Sequence, residues 1–221
     1  MGESGRARWF ARHATLVREI EQCAFIRGVM DGSLDANAFR RFLTQDAFFL
    51  EGFAKAYCGL ASRSRCWEQV VQFHRLAQGV IDERSQLHEA SQAQWQLTLD
   101  DIQPQPATTT YLDGIRQFAA DEPAPCVSLA ALVPCMSVYA HLGKYIASHP
   151  EFATEQNAYK RWVDTYSDAD FQALTAQLED MLDEMDLEYA DNKHVAAFVK
   201  LCYAFAMQME LEFFNAATRV P

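Results

Sequence analysis

Apolar residues recur at three- and four-residue spacing along nearly the whole chain, and no stretch alternates β-branched with polar residues for long. That pattern predicts amphipathic helices and no sheet. Phe10, Leu16, Ile20, Cys23, Ala24 and Phe25 place a first helix over Arg8 to Met30, stopped by Asp31-Gly32-Ser33. Asp35 caps a second, which runs through Phe39, Phe42, Asp46, Phe49 and Phe53 to about Leu60. A third extends from Cys66 to about Trp95, and residues 98–107 form a proline-marked loop. Thr108 to Thr110 lead into a helix holding Tyr111, Leu112, Ile115 and Phe118, and Asp121 to Pro125 break the chain again. A helix opened by Pro134 ends near His149-Pro150, and a shorter one covers Ala153 to Tyr166. Ser167-Asp168 caps Phe171 to Met185, and the most apolar helix spans Asp191 to Ala217. With no internal repeat and no long linker, residues 1–221 read as a single all-α domain of about eight helices, whose natural ligand site is a central cavity.

Half of the 221 residues are hydrophobic and 12% aromatic, enough to build a large core. Nine glycines and seven prolines are few for a β-rich protein. A net charge of −11 argues against a nucleic-acid partner, which requires a basic face. The N-terminal MGESGRARWF does not resemble a signal peptide, and no apolar run reads as the ~20 residues of a membrane span. Six cysteines in helical, apolar settings, without a CxxC pair, fit reduced thiols, so the expected location is the cytoplasm.

Several polar groups sit where the apolar pattern does not call for them. Cys135 and Tyr139, four apart, share one face of the helix opened by Pro134. A thiol there lies near the positive end of the helix dipole, which favours thiolate, although a buried cysteine also serves as a small hydrophobe. Asp46 lies between Phe42, Phe49 and Leu50, and Glu210 lies among Met207, Met209, Phe213 and Phe214. A carboxylate so placed is paired within the fold or used for function. Tyr111 and Tyr166 extend the inward-facing set. Glu83, His74, His88 and His141 raise the possibility of a metal site, but the Glu-x-x-His pairs of a carboxylate-bridged dimetal bundle are missing. No histidine is placed to serve Cys135 in a protease-like pair, since His141 faces another way.

Five ordered blocks, FRRFLTQDAFFLEGFAKAY, ATTTYLDGI, LAALVPCMSVYAHLGKY, YKRWVDTYSDADF and MQMELEFFNAA, resemble the TenA (thiaminase II) family. They cover most of the chain, and three phrases within them are similar to the TenA-like module of plant thiamin-monophosphate phosphatases. The resemblance implies a haem-oxygenase-like multi-helix bundle that binds no haem. It also implies a homotetramer, no metal or organic cofactor, and an aminopyrimidine substrate. It carries the pyrimidine-recognising aspartate onto Asp46, the nucleophile onto Cys135 and the acid/base glutamate onto Glu210. Substrate-binding positions fall on Tyr111, Tyr139, Tyr166, Phe49 and the pocket wall Phe213. The implied reaction is hydrolysis of 4-amino-5-aminomethyl-2-methylpyrimidine, or of thiamin, to the hydroxymethylpyrimidine. Cys135 would add to the electron-poor ring carbon, Asp46 would hold the N3/4-amino edge, and Glu210 would move protons.

Two departures bear on substrate preference. Phe49 stands where many members have tyrosine, and Met136-Ser137 replaces a bulkier aromatic pair. Such changes also fit a pyrimidine- or thiamin-binding protein without turnover. The joint presence of Cys135, Asp46 and Glu210 favours the enzyme, because binding alone does not need a thiol.

Overall fold

The structure, a computed structural model, describes residues 5–95, 102–152 and 156–219. Among them are eleven helices and no strand. Three replace the single helix expected at the start: α1 (Gly5–Arg12), α2 (Ala14–Gln22) and α3 (Ala24–Asp31). The breaks at His13 and Cys23 divide this stretch into short rods that pack on the last helix, α11 (Lys193–Thr218). Trp9 stacks on Tyr203 at 5.3 Å, and Phe25 meets Phe214 at the same separation. Gly32, at φ 77°, closes α3 in the left-handed conformation that suits glycine.

Asp35 accepts from the Asn37 and Ala38 amides and starts α4 (Ala36–Arg63), which packs along α5 (Trp67–Trp95). Residues 98–101 of the expected loop and 153–155 of the expected short helix lie outside the described residues. Gln45 ties the rest of the loop to α4. Its amide donates to the Gln103 carbonyl, and its Oε1 accepts from the Gln105 amide and the Thr108 hydroxyl at 2.7 and 2.8 Å. This staple sets the start of α6 (Pro106–Asp121), and with it the position of Tyr111.

A short helix that the periodicity did not separate, α7 (Pro125–Ala130), precedes α8 (Val133–Ala147); both carry proline in the first turn. Together, Pro125–Ala147 form an apolar stretch of membrane-spanning length, contrary to the expectation that none existed. It is 89% buried inside the bundle, as a core helix must be. α9 (Lys160–Ser167), α10 (Ala169–Glu188) and α11 complete the fold. Asp168 and Asn192 accept from backbone amides at the starts of the last two.

The contact between α8 and α9 depends on Gly143. A β-carbon there would lie 2.4–2.6 Å from backbone atoms of Tyr166 and Ser167. We expect Gly143→Ala to push α9 off α8 at a cost of about 2–3 kcal/mol, lowering the melting temperature by roughly 5–10 °C. A calorimetric melt within about 1 °C of the parent would show that α9 is not held this tightly.

Candidate active site

Five helices deliver the expected residues of the polar cluster at the centre of the bundle. Asp46, Phe49, Phe53 and Tyr57 follow one another at three- and four-residue steps along the inner face of α4, and all four are buried. Tyr111 comes from α6, Cys135 and Tyr139 from α8, Tyr166 from α9, and Glu210 and Phe213 from α11.

Glu210 is 2% exposed, and its Oε1 accepts the Tyr111 hydroxyl at 2.8 Å. The Cys135 thiol lies near the same carboxylate and interacts with it. Burial raises Glu210 to about 7, while these two neighbours hold it down. Near neutral pH it therefore both takes and releases a proton. Asp46, 3% exposed, has an Oδ2 without a hydrogen-bond partner. Burial, then the charges of Glu83 and Glu210, push its carboxyl well above the usual range. The internal tyrosine or arginine that could have explained this aspartate is missing from that oxygen. Asp46→Ala, which removes both oxygens, should weaken binding of the aminopyrimidine ring implied by the resemblance by roughly 10- to 100-fold in equilibrium titration.

The expected dipole-stabilised thiolate is not what the surroundings of Cys135 favour. The thiol is held well above its ordinary value by burial first and then by Glu210, Asp46 and Glu83. Three carboxyl groups in a desolvated site outweigh a partial charge at a helix end. Among the described residues, no lysine or arginine contributes to the shift of any acid or phenol in this cluster. Activation must come from a base that takes the thiol proton, and Glu210 is the neighbouring carboxylate that acts on it most strongly.

Ring contacts bind the remaining residues into two groups. Phe49 meets Tyr111 at 4.8 Å and Phe213 at 5.9 Å; Tyr139 meets Tyr166 edge-on at 4.7 Å. The phenols of Tyr111, Tyr139 and Tyr166 stay protonated through burial and the neighbouring negative charge, so they act as donors. A cavity of about 440 Å³ opens beside the cluster, lined by Tyr57, Glu83, Met136, Trp162 and Tyr166 among others. Of the eight side chains named from the sequence, only Tyr166 lines it. Phe213, expected as a pocket wall, and Phe49 instead close the cluster from behind, 5% and 2% exposed. Cys135 is half-buried and is not among the residues that line this cavity.

Two residues of this site were missed. Tyr57 continues the α4 face two turns beyond Phe49, and its hydroxyl is buried without a partner. Glu83 accepts the Tyr166 hydroxyl at 2.8 Å and acts electrostatically on Asp46 and Cys135. The signal was present: Phe73, Leu76 and Val80 step at three and four residues toward position 83. Weighed only as a metal ligand, Glu83 was set aside with the histidines. His74 is exposed, His141 pairs with Glu21 at 2.6 Å, and the side chain of His88 lies outside the described residues. Among those described, no group of three or more potential ligands is placed to hold a metal. Ser137, one of the two departures after the cysteine, turns away from the site and donates to Glu179 at 2.6 Å.

Comparison with known proteins agrees with this architecture. The chain is 28% identical over 203 residues to the bifunctional TH2 protein, mitochondrial, of Arabidopsis thaliana, covering 84% of this chain but only 32% of that protein. The chain thus spans about a third of the length of the plant relative. It is 25% identical over 162 residues to the aminopyrimidine aminohydrolase of Halalkalibacterium halodurans, covering 72% of each. The fold is shared with a TenA homologue from P. horikoshii OT3, at a TM-score of 0.83 and 18% identity over 97% of this chain and 98% of that one. The TENA/THI-4/PQQC family model matches residues 12–220, and the chain, an all-α bundle from its first described helix to its last, belongs to that family.

Proposed function

We propose that the chain is an aminopyrimidine aminohydrolase. It converts 4-amino-5-aminomethyl-2-methylpyrimidine to the hydroxymethyl alcohol and ammonia, with thiamin as a second substrate. One observation carries this reading: a thiol lies beside an acid that titrates near 7 and a second buried acid with an unpartnered oxygen. The name of the Halalkalibacterium relative supports the same substrate class.

In this mechanism Asp46 receives the amidine-like edge of the ring. Its raised carboxyl carries a proton to donate to N3, and the other oxygen accepts from the 4-amino group. Glu210 takes the Cys135 proton as sulfur bonds to the ring carbon next to the substituted one, and passes it to the ring nitrogen beyond. The C–N bond of the ammonium side chain then breaks, its electron pair leaving on ammonia while the 4-amino nitrogen supplies the pair that forms the exposed methylene. Water adds to that methylene and its proton passes through Glu210 to the ammonia; the C–S bond breaks, and the ring-nitrogen proton returns to the thiolate. Covalent addition replaces one difficult displacement by two easier steps. Tyr111 holds Glu210 in place, and the aromatic lining of the adjoining cavity, with Trp162 and Tyr166, suits a flat ligand.

The test is release of the hydroxymethylpyrimidine from the aminomethylpyrimidine and from thiamin, measured side by side. Release that depends on Cys135 supports the hydrolase. Ring binding without release from either substrate would identify a binding protein instead.

A further inference from the structure

Glu83 is the one carboxylic acid described in the site that the mechanism above does not use. It lies on the inner wall of the cavity, half-buried, on α5, which carries none of the assigned residues. Its Oε1 accepts from Tyr166, and two unpartnered polar atoms belong to the same wall: the Tyr57 hydroxyl and the Trp162 indole nitrogen. Around them the lining is aromatic, with Trp95, Tyr159, Trp162 and Phe171, and such faces attract a cation. The outer lining is acidic, with exposed Asp82, Asp168 and Asp170 against a single exposed Arg161. A desolvated carboxylate, π-faces and an acidic rim describe a receptor for positive charge.

We propose that Glu83 is the specificity-determining carboxylate of this site. It receives the protonated amine on the substrate's side chain, with Tyr57 and Tyr166 beside it, so that the ammonium form is selected over a neutral alcohol. This inference rests on the aminopyrimidine reading for the identity of the ring, but not for the charge of the substituent. It also gives the reaction a direction of exchange. The incoming amine is held by charge, and the hydroxymethyl product, which carries none at that position, is released. An arriving cation would ease the repulsion among Glu83, Asp46 and Glu210, and with it the barrier to removing the Cys135 proton.

The experiment is titration calorimetry on Cys135→Ser protein, which binds without turnover, with and without Glu83→Gln. Four probes are used: the aminomethylpyrimidine, the hydroxymethylpyrimidine, benzylammonium and benzyl alcohol. Glu83→Gln should weaken both amines roughly 10- to 100-fold and change both alcohols by less than about threefold. Tyr166→Phe, which removes the donor but keeps the carboxylate, should retain the preference for amines, as a purely positioning role for Glu83 would not. Equal losses for amines and alcohols, or no loss for amines, overturn the assignment even if the enzyme still releases hydroxymethylpyrimidine. Benzylammonium binding that depends on Glu83, with neither pyrimidine bound, supports the cation site and overturns the aminopyrimidine reading. Failure of both amines to bind the parent overturns both.

Discussion

Cys135→Ser is expected to lower hydroxymethylpyrimidine release by about 10³-fold or more while leaving the fold intact, as measured by initial rates and a thermal melt. Serine keeps a donor beside Glu210, so the acid network of the resting site survives. What disappears is a soft nucleophile whose proton Glu210 can take. An alkoxide is far harder to generate in a site where burial and three carboxyl groups already resist negative charge. Retention of more than about a tenth of the parent rate would remove Cys135 from the chemistry and leave direct attack by water as the route.

Glu210→Gln is expected to cost roughly 10²- to 10⁴-fold in rate and also to change the response to pH. Glu210 titrates at about 7, and only its ionised form accepts the thiol proton. The parent rate should therefore rise through pH 7, and that limb should vanish in the glutamine variant. Stability moves the opposite way. A carboxyl raised above its unfolded value contributes stability that is fully present below about 4.5 and is lost as pH climbs through about 7. At pH 8 the parent carries a buried charge that glutamine does not, a difference on the order of 3 kcal/mol. Melts at pH 5 and pH 8 should show Glu210→Gln near parity in the first and roughly 5–10 °C more stable in the second. Equal destabilisation at both would show that Glu210 is not a strained acid but an ordinary structural anchor.

Helix existence and type were legible because an apolar stripe at period 3.6 is a local property. Asp35 and Asp168 fall where the caps act, and α4, α5 and α11 run over nearly the expected residues. Breaks were not legible where tertiary packing decides them. His13 and Cys23 divide a periodic stretch whose pieces pack separately on α11 and its neighbours. In the site, Asp46 and Glu210 stood out because a carboxylate among phenylalanines contradicts its own neighbourhood. Glu83 did not, since Asp82 and Arg84 on either side make it look like part of a solvated face. The state of Cys135 was misread for a related reason. A helix dipole can be inferred from one segment, whereas the carboxyl groups that overrule it arrive from three others.

The bonds that complete the centre span long sequence separations: 99 residues between Tyr111 and Glu210, and 83 between Glu83 and Tyr166. No local piece of chain holds a working fraction of it. In a helical bundle most contacts are near neighbours and form early, but loops of this length close late, after their entropy has been spent. During refolding, secondary structure should therefore recover well before chemistry does. For as long as that gap lasts, Cys135 meets solvent without Glu210, as an ordinary thiol open to alkylation and air.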